Sequence, residues 1–271
     1  VLVIAFIGVG ILYWLINRFR RWWLYVTLVS IPLAVLLIVI LPVIVAPMFN
    51  KFEPMKDRNL AREMTALASK AGIEDPDIFE VNASKQSKKL NAYYTGMFGT
   101  RRIVLYDNII EAFSAEELKF VVGHEIGHYK MWHIWKGLII AVVFVLAATF
   151  LMSRFLPRLI LLGSRRFGFS RLGDIGSLPL IMLFAVVFTF ITQPIPNAVS
   201  RYYEYNSDEY GFELSGVTIE DAARTFDKLS VYNLSDPDPP AIIEFWFYDH
   251  PALSKRVENI KRLYSQNGSG S

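Results

Sequence analysis

Four long apolar runs alternate with polar blocks along this chain. The first occupies Val1 to about Asn17 and the second about Leu24 to Phe49, separated by Arg18, Arg20 and Arg21. The third runs from Gly137 to about Leu156 and the fourth from about Leu178 to Ile195. A helix needs about 20 apolar residues to cross a bilayer, with a usual range of about 17–25 into which the first run only just falls. Any one run reads equally well as a buried core helix, but four of near-spanning length predict a multi-pass membrane protein.

The polar blocks carry their own elements. Asp57 to Ala71 places Leu60, Met64 and Leu67 at helical spacing and ends at Gly72. Asp77 to Val81 and Arg102 to Tyr106 read as strands, with Asn91 to Tyr94 as a third, and Lys85, Lys88 and Lys89 between them read as a solvated loop. Ser114-Ala115-Glu116-Glu117 is a capping box followed by Leu118, Val121, Val122 and Ile126, so a helix is expected from about 115 to 135. After the fourth run, Pro194-Ile195-Pro196 predicts a break, and Asn197 is placed to cap a helix reaching about Leu214, before Gly216. Thr218-Ile219-Glu220-Asp221 is a second capping box, 235–240 a stiff polar loop, and about Pro251 to Tyr264 a last helix.

The expected fold is therefore an all-α-dominated integral membrane protein with about four transmembrane helices and a small α+β domain. Its divisions are 1–49 and 137–196 for the two pairs of spans, 50–136 and 197–265 for the parts of the α+β domain, and 266–271 as a flexible tail. Composition agrees: 53% hydrophobic residues and a mean hydropathy of +0.33 beside 20% charged residues fit a mixed membrane and aqueous protein. The net charge of +3, without a basic run, argues against nucleic acid as a partner. Cysteine is absent, which removes disulfides and thiolate ligands and leaves His, Asp and Glu for any metal. The chain opens on Val inside an apolar run, without the charged region of a signal peptide, as a fragment or processed form would. Lysines and arginines near the span ends balance across the two faces and assign no orientation.

Within the helix expected near 115–135, Val121-Val122-Gly123-His124-Glu125-Ile126-Gly127-His128 carries H-E-x-x-H. Four residues apart, His124 and His128 project from one face at a separation a tetrahedral Zn²⁺ can span. Glu125 then stands beside the metal, where a base can take a proton from an activated water. The competing reading is an accidental triple on a solvated face, since short motifs match by chance. A third ligand weighs against it: Glu204, with Asp208 one turn on and able to accept a hydrogen bond from the back nitrogen of His124 or His128. Glu204 could instead pair with Arg201, three residues earlier. His133 falls on another helical face, near the apolar run, and reads as structural.

H-E-I-G-H followed by N-x-x-S-R-x-x-E-x-x-x-D resembles the membrane zinc metalloproteases that include CAAX prenyl protease 1. Further matches are Pro47-Met48-Phe49-Asn50-Lys51-Phe52, Asn91-Ala92-Tyr93-Tyr94, Arg102-Ile103-Val104-Leu105-Tyr106-Asp107 and Asp249-His250-Pro251 with Arg256, so the likeness covers about 40 to 262. It implies that 50–136 and 197–265 form a small α+β zincin-like catalytic domain, with one Zn²⁺ per chain held by His124, His128 and Glu204 and with Glu125 as general base. It places Asn91 and Ala92 on an edge strand holding the substrate backbone, and His250 in the cleft as a donor to the tetrahedral intermediate. His250 also reads as a loop residue satisfied by backbone. Arg201 and Arg256 read as ion-pair anchors of the C-terminal helices, with a substrate carboxylate as the lesser option. The pattern departs from the family in two places: prenyl proteases have more spans upstream, and Ser207 stands where Ala is usual.

The function this implies is that of a membrane zinc metalloendopeptidase acting on a peptide or protein that is lipid-modified or membrane-embedded, with the bilayer as its other partner. Its place would be the plasma membrane in a bacterium or the endoplasmic reticulum membrane in a eukaryote. An HtpX-like quality-control protease is the alternative favoured by the number of visible spans. A zinc-binding membrane scaffold without turnover is the alternative from another class, against which the intact Glu125 argues.

Overall fold

The computed structural model describes residues 2–40, 45–95 and 101–267. In chain order, α1 (Leu2–Arg18) and α2 (Trp22–Ile40) precede the single turn α3 (Ala46–Phe49), strand β1 (Phe52–Pro54), α4 (Arg58–Lys70) and β2 (Asp77–Val81). Then come β3 (Ala92–Thr95), β4 (Arg102–Tyr106), α5 (Asp107–Ala112), α6 (Ala115–Lys130) and the 35-residue α7 (His133–Phe167). The chain closes with α8 (Leu178–Thr192), α9 (Pro194–Ser215), α10 (Ile219–Asn233), α11 (Ala241–Phe247) and α12 (Leu253–Asn267). These elements form two compact units, one of residues 1–38 and 135–193 and the other of 39–134 and 194–271.

The first unit is helical and apolar outside as well as inside. Tyr13, Leu15, Trp22, Met152, Leu156 and Ile160 are buried together, while Phe6, Leu162, Met182, Leu183 and Val186 are exposed. Its helices are tied by polar contacts suited to an apolar solvent, Tyr13 Oη to Ser177 Oγ at 2.9 Å and Asn17 Nδ2 to the Gly173 carbonyl at 3.1 Å. Among the described residues two helices, His133–Gly163 and Ile175–Thr192, are long and apolar enough to cross a membrane, and Val3–Arg18 and Trp22–Ile38 are shorter apolar helices. The run expected to reach Phe49 is described as helix to Ile40; 41–44 lie outside the described residues, and Ala46–Phe49 form their own turn.

The second unit is built on a four-stranded sheet of order β1-β2-β4-β3. Strands β2 and β4 are parallel, pairing Asp77 with Arg102, and β3 lies antiparallel on β4 as one edge. One sheet face, with Ile103, Leu105 and Ala92, meets Leu60, Met64 and Leu67 of α4 and Leu118, Val122 and Ile126 of α6. Burying that i, i+4 stripe fixes the rotation of α6 about its axis and leaves its remaining faces to meet α9 and the cleft. The capping box of α6 is formed, Ser114 N donating to Glu117 Oε2 at 2.7 Å and Glu117 N to Ser114 Oγ at 3.3 Å.

Several expectations are corrected. The helix expected to run to 135 ends at Lys130: Trp132 adopts φ +61°, a left-handed conformation that interrupts the helix, and α7 starts afresh at His133. Asn197 does not cap a helix; α9 already begins at Pro194, whose missing N–H is harmless in a first turn, and Asn197 Nδ2 donates to the Trp246 carbonyl at 2.8 Å. Asn91 lies just before β3, its carbonyl accepting from Tyr106 N at 3.1 Å. Strand β1 and helix α11 were too short to carry a periodic signal.

Candidate active site

Helices α6 and α9 approach so closely that glycine is required at their crossing. A Cβ added to Gly211 would lie 2.6 Å from the His124 backbone nitrogen, and one on Gly123 would lie 2.9 Å from the Gly211 carbonyl oxygen. Gly127 meets Ser207 and Tyr210 in the same way, at 3.2 and 3.3 Å. Two glycines four residues apart in a helix interior weaken it by about 1 kcal/mol each, and here they admit a second backbone. Gly211→Ala is expected to destabilise the fold by about 1–3 kcal/mol through overpacking. By parting α6 from α9 it should also loosen metal retention, which a thermal melt and a chelator titration would read together.

That approach sets Glu204 of α9 against the histidines of α6. His124 Nε2 and His128 Nε2 are 3.0 Å apart. Glu204 Oε2 lies 3.5 Å from the first and Oε1 lies 3.2 Å from the second. Donor atoms from the three residues fall within 4.8 Å of one another. A tetrahedral ion with bonds of about 2.0–2.1 Å needs donors about 3.3 Å apart, so the set fits one small divalent cation. Glu204 Oε2 is buried and has no hydrogen-bond partner among the described residues, as a ligand atom would be. Burial opposes ionisation of Glu204, but the His128 hydrogen bond and the charges of His124, Arg256 and His250 prevail and hold its carboxyl far below the usual range.

Around this set stand partners with defined roles in geometry. Asp208, fully buried, has Oδ1 2.9 Å from His124 Nδ1 and accepts from Arg256 Nε at 2.7 Å and Nη2 at 2.5 Å. Arg256 also packs over the Phe226 ring at 4.7 Å. Burial works against the Asp208 charge, yet Arg256 and His124 outweigh it and lower its pKa. Arg201 lies outside the donor set: its Nη1 donates to the carbonyls of Glu244 at 3.2 Å and Tyr248 at 2.6 Å, pinning the segment that leads to His250. The anchor is thus a pair of hydrogen bonds to backbone rather than the ion pair expected.

A cleft of about 380 Å³ opens onto the donors, lined by Asn91, Ala92, Glu125, His250 and Arg256 among others. Burial raises the pKa of Glu125, with Glu204 adding to the shift and the two imidazoles opposing it. His250 turns Nε2 to within 3.4 Å of Glu204 Oε1 while Asp249 Oδ1 holds its Nδ1 at 2.9 Å. That Asp249 contact, against the cost of burial and with Glu204 assisting, raises the His250 pKa.

Three features escape a reading of the sequence. Asp249 was visible only as part of a motif. Gly123 and Gly127 of α6 carried a signal, their four-residue spacing inside a helix, whereas Gly211 stands alone in α9. His133 did not: it is 6% exposed and its Nδ1 lies 3.0 Å from His128 Nδ1, a contact created by the helix break before it.

A helix-borne pair of imidazoles, an acid between them and a carboxylate from a second helix describe the class of single-metal peptidases built on H-E-x-x-H. The model of peptidase family M48 matches residues 54–264, and the chain belongs to that family. It is 36% identical over 253 residues to the uncharacterized metalloprotease YhfN of Bacillus subtilis, covering 93% of this chain and 59% of that protein. It is 31% identical over 275 residues to CAAX prenyl protease 1 of Saccharomyces cerevisiae, with the same two coverages of 93% and 59%. The crystal structure of S. mikatae Ste24p superposes with a TM-score of 0.78 at 27% identity, covering 96% of this chain and 64% of that one. The chain thus spans less than two thirds of the length of these relatives.

Proposed function

We propose that the chain acts as a membrane-integrated zinc metalloendopeptidase resembling CAAX prenyl protease 1. The observation that carries this reading is the convergence of His124 Nε2, His128 Nε2 and the buried Glu204 carboxylate at the separations of a zinc tetrahedron, with Glu125 in the same cleft. Bound there, Zn²⁺ would polarise the scissile carbonyl and acidify the attacking water. Glu125 takes the proton from that water and passes it to the leaving amine. Asp208 orients His124 through its back nitrogen, and Arg256 keeps Asp208 ionised. Asn91, just before the edge strand β3, and Ala92, its first residue, line the cleft, which supports an extended substrate lying along that edge.

His250, its tautomer set by Asp249, is the donor to the developing oxyanion. His250→Ala is expected to lower kcat by about 10²–10³-fold while zinc content stays at the wild-type level, since His250 is not among the three donors. Peptide kinetics with metal analysis of the same sample would check it; loss of zinc would contradict the assignment.

The apolar surfaces of the first unit support about four crossings of a bilayer, with α1 and α2 joining the two longer helices. His128 precedes the start of α7 by five positions, so the catalytic helix passes almost directly into an apolar one, which favours substrates that arrive with or through lipid. The names of the relatives support the prenyl protease branch over an HtpX-like one. The direct test gives the purified protein a farnesylated C-a-a-X peptide and its unprenylated twin, with and without a zinc chelator. Cleavage of the farnesylated peptide that is lost to chelation and restored by Zn²⁺ supports the reading. Equal cleavage of both, or of neither, removes the prenyl-specific version, and activity indifferent to chelation removes the metal.

A further inference from the structure

His133 is brought to the site by a break that a continuous helix would not contain. After Lys130 the backbone turns through Trp132 at φ +61° and α7 opens at His133. The His133 ring is buried against Tyr203, stacked at 4.2 Å and 10°, and stands edge-on to His128 at 5.0 Å and 77°. Its Nδ1 is 3.0 Å from His128 Nδ1 and 3.4 Å from Ser207 Oγ.

A separation of 3.0 Å between two ring nitrogens is a hydrogen bond only if one of them carries a proton and the other does not. His128 faces Glu204 and His124 with Nε2. An imidazole that ligates through Nε2 carries its proton on Nδ1, and the group accepting that proton fixes the ring. The two requirements have one joint solution: His128 Nδ1–H donates, and His133 Nδ1 accepts. His133 is then the Nε2–H tautomer, and Ser207 adds a hydroxyl beside the accepting nitrogen.

We infer that His133 is a positioning residue that holds His128 in its ligating tautomer and orientation, an inference that rests on the metallopeptidase reading above. The two histidines of H-E-x-x-H are then oriented by unlike partners. His124 leans on the ionised carboxylate of Asp208, and His128 on a neutral imidazole clamped by Tyr203.

The test compares two substitutions in the full chain. His133→Phe keeps a ring against Tyr203 but offers no acceptor, whereas His133→Asn places an amide oxygen near the former Nδ1. Zinc affinity, measured by chelator competition on purified protein, is expected to fall about 10–100-fold in His133→Phe and to stay near wild type in His133→Asn. Wild-type affinity in the phenylalanine variant, or an equal fall in both, would overturn the inference, because packing rather than an acceptor would then be at issue. A second measurement needs no variant. The chain has four histidines, and in zinc-loaded wild-type protein labelled with ¹⁵N-histidine, His128 should carry its proton on Nδ1 and His133 on Nε2. A His133 protonated on Nδ1 would overturn the inference equally. Wild-type protein that takes up no zinc would sink the metallopeptidase reading itself, and this inference with it.

Discussion

Glu125→Gln is expected to keep zinc at the wild-type stoichiometry and to lower kcat by about 10²–10⁴-fold, the usual worth of a positioned general base. Glutamine has the size of glutamate and can accept a hydrogen bond, so it can hold a water where Glu125 would. It cannot take the proton. Glu125 is not one of the three donors that converge, so the metal should remain, and its pKa, raised by burial, makes the carboxylate a stronger proton acceptor than an exposed one. Metal analysis and single-turnover peptide kinetics on the same preparation separate the two roles. Survival of turnover would remove Glu125 as the base, and loss of zinc would place it on the metal instead.

Arg256→Met is expected to destabilise the protein by about 3–5 kcal/mol, because it leaves a buried carboxylate without its partner. Asp208 accepts both guanidinium hydrogen bonds, and Arg256 Nη2 also lies 3.3 Å from Glu204 Oε2. Methionine restores the volume beneath Phe226 but none of the charge. The pH dependence gives a second signature. Asp208 is held below its ordinary pKa in the folded protein, so its contribution to stability is present above the ordinary carboxylate range and is lost as pH falls through the lowered value. In the variant the depression is reduced to what His124 maintains, so this acid-dependent loss of stability should be smaller than in wild type. Denaturation at neutral and acid pH would measure both effects; a variant as stable as wild type at neutral pH would show that the pair does not hold α12 to α9.

The parts of the site that can be read along the chain are those made by neighbours in sequence. The capping box at Ser114 and Glu117 and the stripe of Leu118, Val122 and Ile126 mark α6 before any coordinates, and a helix necessarily puts His124 and His128 on one side. The strands Asp77–Val81 and Arg102–Tyr106 were legible for a similar reason, being bounded apolar runs. Where local signals misled, the chain was answering to distant partners. Asn197 has a good capping residue's side chain, yet it spends it on the Trp246 carbonyl, and two prolines that usually end a helix begin one.

The sequence by itself determined that one helix presents two imidazoles and an acid, and that another presents Glu204 and Asp208 one turn apart, because i, i+4 spacing is a property of the helix alone. Only the tertiary structure decided which atoms meet. The bare backbones at Gly123 and Gly211 let α6 and α9 close until Glu204 reaches both histidines, and the rotation of α9 gives Asp208 to His124 rather than to His128. The left-handed turn at Trp132 delivers His133 to the other ring. These contacts depend on how two helices cross and on one backbone dihedral, and neither quantity is written in the order of the residues.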